Sequence, residues 1–123
     1  IIDGNKYADI FDLYMLSDIL VTDYSSVSIE YSLLMKPFLF YMYDLEEYTK
    51  ERDFYYNYLD SLPGPIIKTE DELIYAISNI DSIMETYHDS YMTYYEKYNS
   101  LNDGNVCRRF YTMLKNGDFK QNN

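Results

Sequence analysis

Short apolar runs that favour β-strands alternate along this chain with segments whose apolar residues have helical spacing. The runs cover residues 19–21, 38–42 and 66–67, and residues 1–2 are the end of a fourth. Nearly continuous apolar runs of this length are typical of strands buried on both faces of a parallel sheet. The pattern predicts an α/β fold, a partial Rossmann-like parallel sheet with covering helices.

Helix signals separate these runs. Residues 26–35 carry apolar side chains at helical spacing, and Pro37 ends the segment. Thr69 and Glu72 form a capping box that starts another helix. Further helices are predicted after Asp9, over about 82–98, and up to about Leu114, while the acidic stretch after residue 42 is expected to hold about one helical turn. The expected core consists of Ile19, Leu20, Val21, Val27, Leu34, Phe38, Phe40, Ile66 and Ile77.

The number of strands sets the expected domain organisation. Doubly wound nucleotide domains usually have about five or six strands, and 123 residues supply about four, the first of them truncated. We therefore expect residues 1–123 to be a single partial domain, the C-terminal portion of such a nucleotide-binding domain. The first residue is Ile1 rather than methionine, so a larger protein is expected.

Charge and composition exclude several classes of function. The chain has 21 acidic and 10 basic residues, a net charge of −11, which argues against binding nucleic acid or anionic lipid through a basic surface. No apolar stretch approaches the ~20 residues of a membrane span. The single cysteine, Cys107, cannot form an internal disulfide, and a cytoplasmic location is the simplest expectation.

The most chemically dense loop follows the first complete strand, in the sequence VTDYSS. Parallel sheets bind ligands beyond the carboxyl ends of their strands, and Ser25 and Ser26 fall there at the expected start of a helix. Hydroxyl groups and unpaired N–H groups at such a start can hold a phosphate without a lysine. Thr22 belongs to the same corner, and Asp23 is expected to brace the turn. The alternative is that these residues are helix caps and nothing more.

The segments SDILVTDYSSVSIEYSLLMKPFLFYMYDLEEY, RDFYYNY, LPGPIIKTEDELIYAI and NDGNVCRRF carry a family resemblance. From about Asp9 to Phe110 the chain resembles the C-terminal region of the CDP-glycerol glycerophosphotransferases, the teichoic acid primases and polymerases. The resemblance implies a GT-B enzyme of two Rossmann-like domains, whose C-terminal domain holds CDP-glycerol. By the same resemblance, Ser25 and Ser26 hold the donor phosphates, and Asp23 and Glu30 belong to the same pocket.

The resemblance also implies the partners. Such enzymes transfer glycerol phosphate from CDP-glycerol to a poly(glycerol phosphate) chain or a lipid-linked primer and release CMP. Their catalytic histidines lie upstream, so we expect no catalytic residue here, and a missing N-terminal domain as partner. Through the full-length protein the location would be cytoplasmic and peripheral on the inner face of the membrane. No cofactor or metal is implied.

Other candidate residues also fit ordinary surface roles. Arg52 and Arg108 are candidate diphosphate ligands, because guanidinium groups form forked hydrogen bonds with phosphate. The only histidine, His88, has no partner motif and is expected to be a solvent-facing residue in the middle of a helix. The carboxylates after residue 43 are expected to be solvated rather than metal-bound.

Two other functions are open on these observations. One is a GT-B capsule-type transferase that uses another nucleotide donor. The other is a non-catalytic α/β binding or phosphoacceptor module with Asp23 at a strand end, for which Asp3 and Lys68 would be poorly spaced partners. In the leading interpretation, the 123 residues alone are inactive. They are also expected either to self-associate through the sheet edge left by the truncated strand or to be marginally stable.

Overall fold

A parallel three-stranded sheet organises the chain, and helices cover both of its faces. The computed structural model describes residues 3–7, 9–51 and 58–118. Within them the strands are β1 (Leu20–Thr22), β2 (Phe38–Tyr41) and β3 (Ile66–Ile67), in the order β1-β2-β3. The predicted α/β class with a partial Rossmann-like sheet is confirmed. The run predicted at residues 1–2 lies outside the described residues.

Seven α-helices accompany the sheet in the described part of the chain. They are α1 (Ile10–Leu16), α2 (Val27–Tyr31), α3 (Leu45–Glu51), α4 (Glu70–Ser78), α5 (Ile80–Thr86), α6 (His88–Asn99) and α7 (Val106–Asn116). The Asp9 carboxylate accepts a hydrogen bond from the Phe11 N–H and caps α1, as the sequence predicts. Both halves of the capping box between Thr69 and Glu72 are formed at the start of α4.

Helix boundaries differ from the predictions at three places. The segment predicted as one helix over 26–35 is α2 followed by a 3₁₀ turn, Ser32–Leu34, which ends at Met35 with φ 54°. The run predicted over 82–98 is two helices, because the backbone leaves helical geometry at Tyr87 (φ −97°, ψ 8°). The acidic stretch after β2 holds all of α3, rather than one turn.

The core lies on both sides of the central strand β2, whose first three residues are fully buried. Phe38 and Phe40 point to one face, where they pack with Tyr31 and Tyr91 from the helical layer. Leu39 points to the other face and packs with Ile67 of β3 and Ala76 of α4. None of the described helices is long and apolar enough to cross a bilayer.

Three residues predicted for the core are exposed. Val21 is 41% and Ile66 36% exposed, because among the described residues β1 and β3 are the two edge strands and each pairs only with β2. Ile77 is 44% exposed because α4 turns the adjacent Ala76, which is 3% exposed, towards the sheet.

Buried hydrogen bonds join α6 to the segment that carries α2. The hydroxyls of Ser28 and Tyr94 lie 2.8 Å apart, and the Asn99 amide donates to the Ser32 hydroxyl at 2.8 Å. Tyr91 donates to the backbone carbonyl of Lys36 at 3.0 Å. The tyrosines that α6 turns towards this segment, Tyr91 and Tyr94, are therefore part of the core, and they fix the position of α2 against the sheet.

Candidate functional site

The three loops that follow the strands meet at the carboxyl edge of the sheet and form two depressions. One has a volume of about 340 Å³ and is lined by Thr22, Asp23, Tyr43 and two strand residues. The other, of about 390 Å³, lies between Lys68 and the loop that leads into α3. Tyr43 lines both, so the depressions adjoin at this edge, where parallel sheets bind ligands.

Asp23 and Ser25 close the turn between β1 and α2. The Asp23 carboxylate accepts from the Ser25 N–H at 3.2 Å, which agrees with its expected bracing role. The Ser25 hydroxyl accepts from the Val27 N–H at 3.3 Å and so caps the first turn of α2. Two N–H groups of the corner are therefore occupied by the corner's own side chains.

Ser26 behaves differently from its neighbour. It occupies the N-cap position of α2 with helical backbone angles (φ −67°, ψ −3°) and makes no capping hydrogen bond. Its side chain is exposed, and its hydroxyl has no hydrogen-bond partner among the described residues. The alternative that both serines are only caps therefore fits Ser25 and does not fit Ser26. The Ser26 hydroxyl is available to an incoming ligand.

Tyr24 links the corner to the neighbouring loop. Its hydroxyl donates to Oδ1 of Asp44 at 2.9 Å, and its ring stacks on that of Tyr48 with centroids 3.7 Å apart. Burial is the larger cause, and the hydrogen bond to Asp44 the second, of a pKa of Tyr24 that lies far above its ordinary value. The phenol therefore stays protonated and remains the donor. Tyr24 is not one of the residues predicted for the site, although it lies in the middle of VTDYSS.

Glu30 lies one helical turn beyond the corner, at the end of α2. Its exposed carboxylate accepts from the Tyr14 hydroxyl of α1 at 3.5 Å. Burial and the charge of Glu30 raise the pKa of Tyr14. The structure therefore places Glu30 on the α1 side of the corner, with one oxygen engaged by a protein donor.

Neither candidate arginine is seen at the corner in the described part of the chain. Arg52 lies outside the described residues. Arg108 lies on α7, an exposed helix, and no hydrogen bond or ion pair in the described part of the chain joins it to the Thr22–Ser26 corner. Its neighbour Arg109 is bound to Asp103, with Nη1 2.6 Å from Oδ1, and lowers the pKa of that carboxyl.

The edge of the sheet is acidic. Asp44, Glu46 and Glu47 line the larger depression together with Lys68, whose ammonium lies 3.8 Å from the Glu46 carboxylate. Within the described residues, Lys68 is the cation that lines these depressions, so the free Ser26 hydroxyl is the neutral donor that the corner offers to an anionic ligand. His88 is exposed, as expected, but it is the first residue of α6 rather than in the middle of a helix, and it contacts Asp89 at 3.2 Å.

Comparison with known proteins decides the family. The family model described as CDP-Glycerol:Poly(glycerophosphate) glycerophosphotransferase matches residues 1–116, which include every residue of this edge. The chain belongs to the CDP-glycerol:poly(glycerophosphate) glycerophosphotransferase family. The resemblance seen in the sequence is thereby confirmed.

Individual members of this glycerophosphotransferase family are similar along most of the chain. A teichoic acid glycerol-phosphate transferase from Staphylococcus aureus is 44% identical over 108 residues, which are 87% of this chain and 28% of that protein. A teichoic acid poly(ribitol-phosphate) polymerase from Bacillus spizizenii is 43% identical over 94 residues, 71% of this chain and 15% of that protein. The chain thus spans less than a third of the relatives it matches.

Solved structures agree with the family assignment. A structure of the wall teichoic acid polymerase TagF, obtained from a variant soaked with CDPG, superposes with a TM-score of 0.80 and 32% sequence identity. The match covers 94% of this chain and 29% of that one. The sheet and helices described above are therefore a recognisable part of a glycerophosphotransferase fold.

Proposed function

We propose that this chain is the C-terminal portion of the donor-binding domain of a GT-B glycerophosphotransferase of teichoic acid biosynthesis. The complete enzyme transfers glycerol phosphate from CDP-glycerol to a poly(glycerol phosphate) chain or a lipid-linked primer. The family match over residues 1–116 carries the proposal, and the TagF structure soaked with CDPG supports the donor. A phosphoacceptor module is disfavoured, because a family of transferases accounts for nearly the whole chain.

The corner is proposed to hold the diphosphate of the donor. The free hydroxyl of Ser26 donates to a phosphate oxygen, and Thr22 and Ser25 complete the hydroxyl set on the same turn. Asp23 keeps the turn closed through the Ser25 N–H rather than contacting phosphate, which its charge would repel. Glu30 retains one oxygen for a ribose hydroxyl while Tyr14 occupies the other.

The arginines are proposed to contribute to phosphate binding in the complete enzyme. Arg52 follows α3, whose first turn lines the larger depression. Arg108 lies on an exposed helix, where binding of the donor or docking of another domain can bring it to phosphate. Forked guanidinium hydrogen bonds would then supply the positive charge that the acidic edge lacks.

The reaction requires groups beyond these residues. An acceptor hydroxyl attacks the phosphorus that bears glycerol, the bond from that phosphorus to the bridging oxygen breaks, and CMP leaves with that oxygen. The proton of the attacking hydroxyl goes to a general base. His88 lies on α6, exposed and bound to Asp89, and is not that base. We propose that the base lies in another part of the enzyme, and that the lipid-linked acceptor brings the enzyme to the inner face of the membrane.

A ribitol-phosphate transferase is the second candidate. The relative from Bacillus spizizenii is a poly(ribitol-phosphate) polymerase. Its sequence identity to this chain, 43%, is close to the 44% of the glycerol-phosphate transferase from Staphylococcus aureus. Both functions would use the same corner for the diphosphate, so the difference lies in contacts to the polyol.

The proposal is tested with the complete gene product that contains this chain. CDP-glycerol and a poly(glycerol phosphate) primer are supplied, and CMP release and polymer growth are measured. CMP release that depends on the primer is expected, together with calorimetric binding of CDP-glycerol. Turnover of CDP-ribitol alone would favour the second candidate. Binding of UDP- or GDP-linked donors without CDP-glycerol would refute the assignment and favour a capsule-type transferase.

A further inference from the structure

Two loops that are distant in sequence are joined at the carboxyl edge of the sheet by one side chain. Tyr24 follows β1 and Asp44 follows β2, and the phenol of the first donates to the carboxylate of the second at 2.9 Å. Tyr24 lies between Asp23 and Ser25, whose hydrogen bonds close the turn. Any movement of the Tyr24 backbone is therefore a movement of the serine corner.

The other end of this connection is equally well anchored. The Asp44 backbone carbonyl accepts from the Tyr48 N–H at 2.9 Å and so begins α3. The Tyr48 ring stacks on Tyr24 with an interplanar angle of 10°. Tyr24 thus contacts both ends of the first turn of α3, through a hydrogen bond at one end and an aromatic stack at the other.

The position of this connection matters because the two depressions adjoin there. The corner contributes Thr22 and Asp23 to one depression, and the loop with Asp44 contributes to the other. Tyr43, immediately before Asp44, lines both. The Tyr24–Asp44 hydrogen bond runs between these walls, and it engages one oxygen of a carboxylate beside a proposed anion site.

We infer that Tyr24 is a positioning residue for the nucleotide donor, acting through Asp44 to hold the Ser26 hydroxyl at a fixed distance from the Tyr43 wall. The inference rests on the proposed function, since it assumes that the donor occupies this edge. Tyr24 does not contact the reacting atoms. Tyr24 sets the spacing of groups that bind the donor in the ground state. Loss of its hydroxyl should therefore weaken donor binding and leave the rate of the chemical step unchanged.

Tyr24→Phe in the complete gene product tests this inference, because it removes the hydroxyl and keeps the stacked ring. We expect KM and the calorimetric Kd for CDP-glycerol to rise about tenfold, as for loss of a hydrogen bond to a charged group, with kcat within about twofold of wild type. Asp44→Asn keeps an oxygen that can accept from Tyr24 and should keep Kd within about threefold of wild type.

Ser61→Ala is the matched control. The Ser61 hydroxyl also donates a part-buried hydrogen bond, at 2.8 Å, but to the Tyr58 carbonyl in the segment that precedes β3, and Ser61 lines neither depression. This variant should lower the thermal midpoint and leave KM and Kd unchanged, which separates a structural loss from a positioning loss.

A double-mutant cycle tests the coupling. Tyr24→Phe combined with Asp44→Ala should bind CDP-glycerol no more weakly than the weaker single variant, because both remove the same hydrogen bond. The inference would be overturned if the effects of the two substitutions on Kd were additive, or if Tyr24→Phe left KM and Kd unchanged. In either case, binding of CDP-glycerol by the wild type would leave the proposed function standing. A wild-type protein that binds no CDP-glycerol would refute both.

Discussion

Replacing Ser26 by alanine separates a phosphate ligand from a helix cap. Its hydroxyl is exposed and makes no capping hydrogen bond, so the folded protein loses little when it is removed, about 0.5 kcal/mol or less. A hydrogen bond from this hydroxyl to a phosphate oxygen involves a charged acceptor and is worth about 1.5–3 kcal/mol. Ser26→Ala should therefore reduce kcat/KM by about 10- to 100-fold without a measurable change in the thermal midpoint.

Ser25→Ala should lower both the thermal midpoint and kcat/KM. The Ser25 hydroxyl accepts from the Val27 N–H at 3.3 Å, and loss of such a cap costs about 1 kcal/mol. Because Ser25 also belongs to the proposed hydroxyl set, kcat/KM should fall as well. Ser90→Ala, at an exposed serine of α6, should change neither quantity.

The two readouts are thermal unfolding and steady-state CMP release, both measured on the complete gene product at one temperature where every variant is folded. The phosphate role of Ser26 is refuted if Ser26→Ala melts at a lower temperature yet turns over at the wild-type rate. In that case both serines would be caps, and the diphosphate would bind elsewhere on the edge.

Three further predictions concern stability. The Lys36 ammonium donates to backbone carbonyls at the end of α1 at 2.7–3.4 Å. Lys36→Met should therefore lower the free energy of unfolding by about 2 kcal/mol in urea titrations. An unchanged free energy would show that water replaces the ammonium at these carbonyls. A Cβ at Gly64 would lie 2.6 Å from the Phe38 carbonyl oxygen, so Gly64→Ala should lower the free energy of unfolding by about 1–3 kcal/mol in the same titrations, and a wild-type midpoint would contradict that contact. Hydrogen bonds from the backbone at the start of α4 lower the pKa of Glu72, so the stabilisation from its carboxylate is present above the pKa of the unfolded chain and is lost as pH falls through the pKa of the folded protein. Below about pH 4, the difference in urea midpoint between wild type and Glu72→Gln should therefore shrink. A difference that stays constant with pH would contradict this direction of the pKa shift.

The fold was largely predictable because its signals are local. A capping box spans four residues, and the N-cap of α1 spans three, so Thr69 with Glu72, and Asp9, could be identified from sequence alone. The break at Tyr87 could not be, because apolar residues keep their helical spacing across it. The exposure of Val21 was also not predictable, since it depends on which strands flank β1 rather than on the residue itself.

The same distinction applies to the site. Asp23 and Ser25 act on backbone groups two residues away, so their role in the turn follows from sequence order. Tyr24 acts on a residue twenty positions away, and strand pairing alone makes the two loops neighbours. In a chain with 17 tyrosines, nothing in the sequence distinguishes a tyrosine that joins two loops from one that fills the core.

The polar contacts between α6 and the α2 segment make their docking a matter of register. A purely aliphatic contact would tolerate small slides or rotations of α6, because one methyl group serves nearly as well as another. Here a slide would separate Tyr94 from Ser28, and Asn99 from Ser32, and leave buried polar groups unpaired at about 1–3 kcal/mol each. The chain therefore specifies a single docking position for α6. The position of α2, which begins at the serine corner, is fixed by the same hydrogen bonds.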